Sequence, residues 1–75
     1  SVTAGAGNDV IGGGDGDDTI VASDGNNNVT GGAGNDTITS GVGNDTVSGG
    51  DGNDTVVASS GANSIAGGAG DDLIT

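Results

Sequence analysis

The sequence predicts an all-β fold in which short strands stack as successive coils of a solenoid. Three observations lead there: a nine-residue period, a β-branched residue at one fixed position of each period, and a glycine-rich hexapeptide before each short strand-like segment. From residue 4 to 75 the chain divides into eight nonapeptides without an insertion: AGAGNDVIG, GGDGDDTIV, ASDGNNNVT, GGAGNDTIT, SGVGNDTVS, GGDGNDTVV, ASSGANSIA and GGAGDDLIT. Residues 1–3 supply the last three positions of a preceding unit.

The composition taken alone is typical of a disordered chain. The 75 residues include 19 Gly and 11 Asp, and no Lys, Arg, His or Cys, so the net charge is −11. A disordered chain is not expected to keep the same residue types at the same positions of every repeat, so the period favours a folded structure. The core must nevertheless be thin, and a disulfide cannot reinforce it, so another source of stability is expected.

Positions seven to nine of each repeat are predicted to form the strand, and positions one to six the turn. Side chains alternate along a strand, so position eight, always Val or Ile, should face inward while positions seven and nine face outward. Glycine at position four and at most of positions one and two permits a tight turn. Two nonapeptides then make one 18-residue coil, and four coils span roughly 19 Å. Odd-numbered repeats stack on one side and even-numbered repeats on the other.

Position six places acidic side chains in a column along each side of this stack. It is Asp in six repeats and Asn in two, Asn27 and Asn63. Stacked carboxylates repel one another, and no basic residue is present to neutralise them, so a cation is predicted. With only oxygen donors and a flexible turn, Ca²⁺ is favoured over zinc, copper and magnesium. Each side has three gaps between turns, and about six ions would carry +12 against the chain's −11.

The same composition argues against other classes of function. Without Lys or Arg the chain is not expected to bind nucleic acid or anionic membranes, nor to insert directly into a membrane. Without His, Lys, Cys or Tyr, and with the same Asp in most repeats, no unique catalytic site is expected, so we predict that the segment is not an enzyme.

The repeat resembles the RTX family, the haemolysin-type calcium-binding repeat with the signature Gly-Gly-x-Gly-x-Asp-x-U-x, where U is a large apolar residue. GGDGDDTIV, GGAGNDTIT, GGDGNDTVV and GGAGDDLIT match in full, and AGAGNDVIG and SGVGNDTVS lack only the first Gly. The resemblance covers residues 1–75 as a single segment, expected to be part of a larger chain. It implies a parallel β-roll, a right-handed β-solenoid, with each Ca²⁺ bound between turns of successive coils.

The resemblance also implies which residues hold the ions. Each ion takes the position-six Asp of two stacked turns, the carbonyls of positions two and four of one turn, and those of positions one and three of the next. On the even side the three gaps comprise Gly14, Gly16 and Asp18 with Gly31, Ala33 and Asp36; Gly32, Gly34 and Asp36 with Gly49, Asp51 and Asp54; and Gly50, Gly52 and Asp54 with Gly67, Ala69 and Asp72.

The odd side departs from the signature. Asp9 and Asp45 alternate there with Asn27 and Asn63, and Asn offers one oxygen and no charge. Whether the odd gaps hold Ca²⁺ is left open, since Asp24 could compensate for the missing carboxylates.

The resemblance implies a calcium-binding structural module of a secreted bacterial protein, extracellular or at the cell surface, that folds when it meets external Ca²⁺. Two alternatives stay open at this point. One is a self-assembling surface segment, as in S-layers, adhesins or filaments, paired through open β-edges or continuing into flanking domains. The other is ice binding by the outward Thr residues of the even strands.

Overall fold

The computed structural model describes residues 2–75, and all the regular structure in this range is β-strand. The nine strands are β1 (Val2–Thr3), β2 (Val10–Gly12), β3 (Thr19–Val21), β4 (Asn28–Ala33), β5 (Thr37–Gly41), β6 (Thr46–Asp51), β7 (Thr55–Ala58), β8 (Ser64–Ala66) and β9 (Leu73–Ile74). No helix in this range is long and apolar enough to cross a membrane. Ser1, the first residue of the strand predicted at 1–3, lies outside the described residues.

The strands form two parallel sheets, and the chain alternates between them. One sheet has the order β1-β3-β5-β7-β9, and the other has the order β2-β4-β6-β8. Partners lie 18 residues apart, as in the pairing of Ile20 with Ile38. Each coil therefore contributes one strand to each sheet, and about four coils stack along the axis. The parallel β-solenoid with 18-residue coils is confirmed, as is the separation of odd and even repeats.

The core is the seam of position-eight side chains between the two sheets. Ile11, Ile20, Val29, Ile38, Val47 and Val56 are buried together with Ala22, and Val2, Ala4 and Ile65 pack against them. Ile38 is 0% exposed, whereas Ile74, in the last described coil, is 45% exposed because no further coil covers it. Position eight therefore faces inward, as the alternation predicts. The thinness of this core fits the molecular extents of 28 × 20 × 12 Å.

Strands in the middle of the stack are longer than the three residues that the repeat predicts. β4 and β6 continue into the following turn, where Gly32 pairs with Gly50 and Ala33 with Asp51. These coils have neighbours on both sides, so their turn peptides can hydrogen-bond to the next coil as a strand does. The predicted three-residue strand thus describes correctly which side chains face inward and outward. The backbone pairing of β4 and β6, however, extends beyond those three residues into the turn.

The stacked turns approach one another closely enough to require glycine. Gly34 has a φ of +115°, and a Cβ built there would lie 2.3 Å from the carbonyl oxygen of Gly16 in the preceding coil. Both the left-handed backbone and the lack of space exclude a side chain. The invariant glycine of position four therefore lets the turns stack at strand spacing, and this stacking brings the position-six side chains into register.

Candidate metal centre

The even-side turns place Asp18, Asp36, Asp54 and Asp72 in one continuous ladder. The backbone N–H of Asp18 donates to Oδ1 of Asp36 at 2.8 Å, and the N–H of Asp36 donates to Oδ1 of Asp54 at 2.8 Å. Asp54 and Asp72 repeat the contact at 2.9 Å. The carboxylates of Asp36, Asp54 and Asp72 are thus each held by the preceding coil through one oxygen.

The second carboxylate oxygen of Asp18, Asp36 and Asp54 is buried and has no hydrogen-bond partner. Asp36 and Asp54 are each only 1% exposed. Oδ2 is buried and unpartnered in five aspartates of the described chain, namely Asp9, Asp18, Asp36, Asp45 and Asp54. A buried carboxylate oxygen without a donor is costly, because it has lost its water without gaining another partner. No side chain of this protein carries a positive charge, so a positively charged partner for these oxygens must come from outside the chain.

Backbone carbonyls of the next coil face the same space as the free carboxylate oxygens. A Cβ atom built on the backbone of Gly13 would lie 2.7 Å from both Asp18 Oδ2 and the carbonyl oxygen of Gly31, so this position marks the space between the two oxygens. The corresponding point at Gly31 is 2.6 Å from both Asp36 Oδ2 and the carbonyl oxygen of Gly49. The third gap is alike: the point at Gly49 lies 2.5 Å from Asp54 Oδ2 and 2.8 Å from the carbonyl oxygen of Gly67. Oxygens of two successive turns therefore converge in every even gap.

The position-three carbonyls of the predicted ligand set already accept one hydrogen bond each. The oxygens of Ala33, Asp51 and Ala69 accept the N–H groups of Gly16, Gly34 and Gly52 at 2.9, 3.0 and 3.2 Å. A carbonyl oxygen has a second lone pair, so these contacts leave room for a cation. The predicted position-two and position-four residues lie in the same stacked turns; they are Gly14, Gly16, Gly32, Gly34, Gly50 and Gly52.

The odd-side turns form a ladder of the same geometry with alternating side chains. The N–H groups of Asp9, Asn27 and Asp45 donate to Oδ1 of the next position-six residue at 2.9, 2.8 and 2.8 Å. Asp9 and Asp45 keep a buried, unpartnered Oδ2, like the even-side aspartates. Asp24, considered above as a substitute ligand, is exposed, and its Oδ1 accepts the Val42 N–H at 3.4 Å.

Asn27 differs from the aspartates because both the oxygen and the nitrogen of its side-chain amide have hydrogen-bond partners. It is 2% exposed, and its Oδ1 takes the same ladder hydrogen bond as an Asp Oδ1. Its Nδ2 donates to the carbonyl oxygens of Ser23 at 3.0 Å and Gly25 at 3.3 Å, positions two and four of its own turn. In the other turn of this kind, Asn63 Nδ2 donates to Ser59 at 3.0 Å.

A second ladder at position five was missed by the sequence reasoning. Oδ1 of Asp17 accepts the Asn35 N–H at 2.7 Å, and Oδ1 of Asn35 accepts the Asn53 N–H at 2.8 Å. At position five each side chain accepts from the following coil, whereas at position six each side chain accepts from the preceding coil. The signal was available, because position five is Asn or Asp in seven of the eight repeats. Together the two ladders clamp each turn from both neighbours.

The donor set suits a hard cation bound largely by carbonyl groups. Within residues 2–75 no three acidic side chains come together at one point, so carboxylates alone cannot fill a coordination shell. Calcium takes six to eight oxygens and accepts backbone carbonyls in irregular geometry. The carboxylate and carbonyl oxygens that converge in each even gap are donors of the kind that Ca²⁺ takes.

Comparison with known proteins places the chain in a family. A sequence model of the RTX calcium-binding nonapeptide repeat matches in four copies, at residues 1–27, 12–47, 21–56 and 48–75. Neither the curated proteins nor the solved structures gave a match. The four copies span the chain, and the stacked turns carry the repeat's aspartates in register. The chain therefore belongs to the RTX calcium-binding nonapeptide repeat family.

Proposed function

We propose that this chain is a calcium-dependent structural module of a secreted protein, and that it folds when Ca²⁺ binds between its turns. The observation that carries the proposal is the set of five buried carboxylate oxygens without a hydrogen-bond partner. A cation would satisfy them, and the chain has no cationic side chain of its own. Secretion is supported by the family, whose repeats are typical of secreted proteins.

Electrostatic repulsion between the stacked carboxylates explains why folding should require bound Ca²⁺. Neighbouring carboxylates on the even side lie one strand spacing apart, about 5 Å. At an effective dielectric constant of about 20, each such pair costs about 3 kcal/mol. The even ladder contains three such neighbouring pairs, and their repulsion opposes a net stability that is only about 5–15 kcal/mol in a typical domain. A thin core does not offset a cost of that size, and bound Ca²⁺ removes it.

Far-ultraviolet circular dichroism tests the proposal directly. We expect a coil spectrum in EDTA, a β spectrum in millimolar Ca²⁺ and no conversion by Mg²⁺, which prefers strict octahedral geometry and keeps its water. A β spectrum in EDTA, or equal conversion by Mg²⁺, would contradict calcium-dependent folding.

Two matched variants separate specific binding from general relief of charge. Asp54→Ala and Asp15→Ala each remove one negative charge, but Asp54 is 1% exposed whereas Asp15 is exposed. We expect Asp54→Ala to require more Ca²⁺ for folding and Asp15→Ala to require the same amount or less. Equal calcium requirements for the two variants would contradict a role for the buried column.

A further inference from the structure

We infer that the side-chain amide of Asn27 takes the place of a calcium ion in its turn, so that the chain binds five ions rather than six. The inference rests on the proposed calcium binding and specifies which turns take part. It follows from comparing one asparagine with the aspartates that occupy the same position of the ladder.

Asn27 and Asp36 are held in the same way by the adjoining coils. The Oδ1 atom of each accepts the position-six N–H of the coil before it, at 2.9 Å for Asn27 and 2.8 Å for Asp36. The backbone N–H of each donates to the Oδ1 of the coil after it, at 2.8 Å in both cases. Since Oδ1 and the backbone are equivalent, Nδ2 of Asn27 stands where Asp36 has Oδ2.

The hydrogen bonds of Asn27 show what surrounds that atom. Nδ2 lies 3.0 Å from the carbonyl oxygen of Ser23 and 3.3 Å from that of Gly25. By the same equivalence, we place the position-two and position-four carbonyls of an aspartate turn beside a third acceptor, Oδ2, which has no hydrogen-bond donor. Three oxygens that converge without a donor call for a cation, whereas two oxygens and an amide close the turn without one.

Other features of the 22–27 turn support a metal-free arrangement. Ser23 has a φ of 69°, and its hydroxyl donates to the carbonyl oxygen of Ala4 in the preceding coil at 2.9 Å.

The number of ions follows from the number of turns that lack a donor. Oδ2 is buried and unpartnered at Asp9, Asp18, Asp36, Asp45 and Asp54. Asp72 is not in this set, and Asn63 has an amide that donates to the carbonyl oxygen of Ser59 in place of a second carboxylate oxygen. Asn27 is thus the one position-six residue between two coils that needs no cation. Five ions carry +10 against the −11 of the chain.

The number of bound ions, measured by native mass spectrometry and calcium calorimetry, tests the inference. We expect five for the unaltered chain and six for Asn27→Asp, because the new carboxylate restores a turn of three acceptors. Asn63→Asp adds the same charge in a turn without a following coil and should leave the number at five. Asp36→Asn should give four while the β spectrum persists, because the new amide can donate to the carbonyls of Gly32 and Gly34.

The outcomes distinguish this inference from the proposed function. A chain that neither binds Ca²⁺ nor folds with it would overturn the proposed function. A chain that folds with six ions, or an Asn27→Asp variant that folds with five, would overturn the role of Asn27 alone. A loss of two ions in Asp36→Asn would overturn the count of one ion per free oxygen. If Asn27→Asp does not fold, the Asn27 side-chain NH₂ signals of the unaltered, calcium-loaded chain decide: slow hydrogen exchange supports the inference, and rapid exchange overturns it.

Discussion

The position-one glycine of the even turns offers a direct probe of the space between carboxylate and carbonyl. In Gly31→Ala the new Cβ would lie 2.6 Å from both Asp36 Oδ2 and the Gly49 carbonyl oxygen. Ordinary van der Waals contact begins near 3.4 Å, so both oxygens must move apart by several tenths of an ångström. Overpacking of this kind costs about 1–3 kcal/mol. In a domain of this size each kcal/mol lowers the melting temperature by about 4–8 °C.

Gly12→Ala is the matched control for this variant. Gly12 lies in β2, and a Cβ there would meet nothing within 4 Å. Both variants replace Gly with Ala, so the change in the entropy of the unfolded chain is similar and cancels in the comparison. Thermal unfolding in saturating Ca²⁺ should show Gly31→Ala less stable than Gly12→Ala by about 1–3 kcal/mol. Equal melting temperatures would refute the view that this space must stay free of side chains.

Two further substitutions test the core and the second ladder. Ile38→Asp should abolish the calcium-induced β spectrum, because it buries an unpaired charge at a position that is 0% exposed. Thr37→Asp, on the exposed outer face, should still fold. Equal effects of the two variants would disprove the alternation of inward and outward side chains. Asn53→Ala removes the acceptor of the Asp71 N–H, now bonded at 2.9 Å, and should lower the free energy of unfolding by about 0.5–1.5 kcal/mol. Asn28→Ala, in an exposed strand position, should change it less, and denaturant unfolding in Ca²⁺ gives both values.

The repeat determines the fold because the apolar, glycine and position-six residues all recur with the same nine-residue period. Ile38 could be assigned to the core from its column alone, since one β-branched position in nine, flanked by outward residues, leaves no other continuous apolar surface. Asp36 could be assigned to a stacked column for the same reason. Both predictions depend only on the spacing of residue types along the chain, which can be read directly from the sequence.

The rest depended on which atom of a side chain meets which neighbour. That Oδ1 of Asp36 is already taken by a backbone N–H, leaving Oδ2 free, follows from the offset between stacked turns and not from the period. The donation from Asn27 to two carbonyls of its own turn has the same origin. From the sequence, Asn27 is a weaker calcium ligand; the structure shows an amide whose hydrogen bonds are complete. The opposite directions of the ladders at positions five and six could not be read from composition at all.

The stacking of the coils also determines how the molecule responds to tension. β1 and β9 lie at opposite ends of one sheet, so a force applied to Val2 and Ile74 acts along the stack and loads the outermost coil first. A coil that detaches breaks contact with a single neighbour and releases 18 residues, about 60 Å of extended chain. Each ion bound between two turns should add to the force needed for that release. The roll should therefore lengthen in steps of one coil, with a resistance set by the calcium concentration around it.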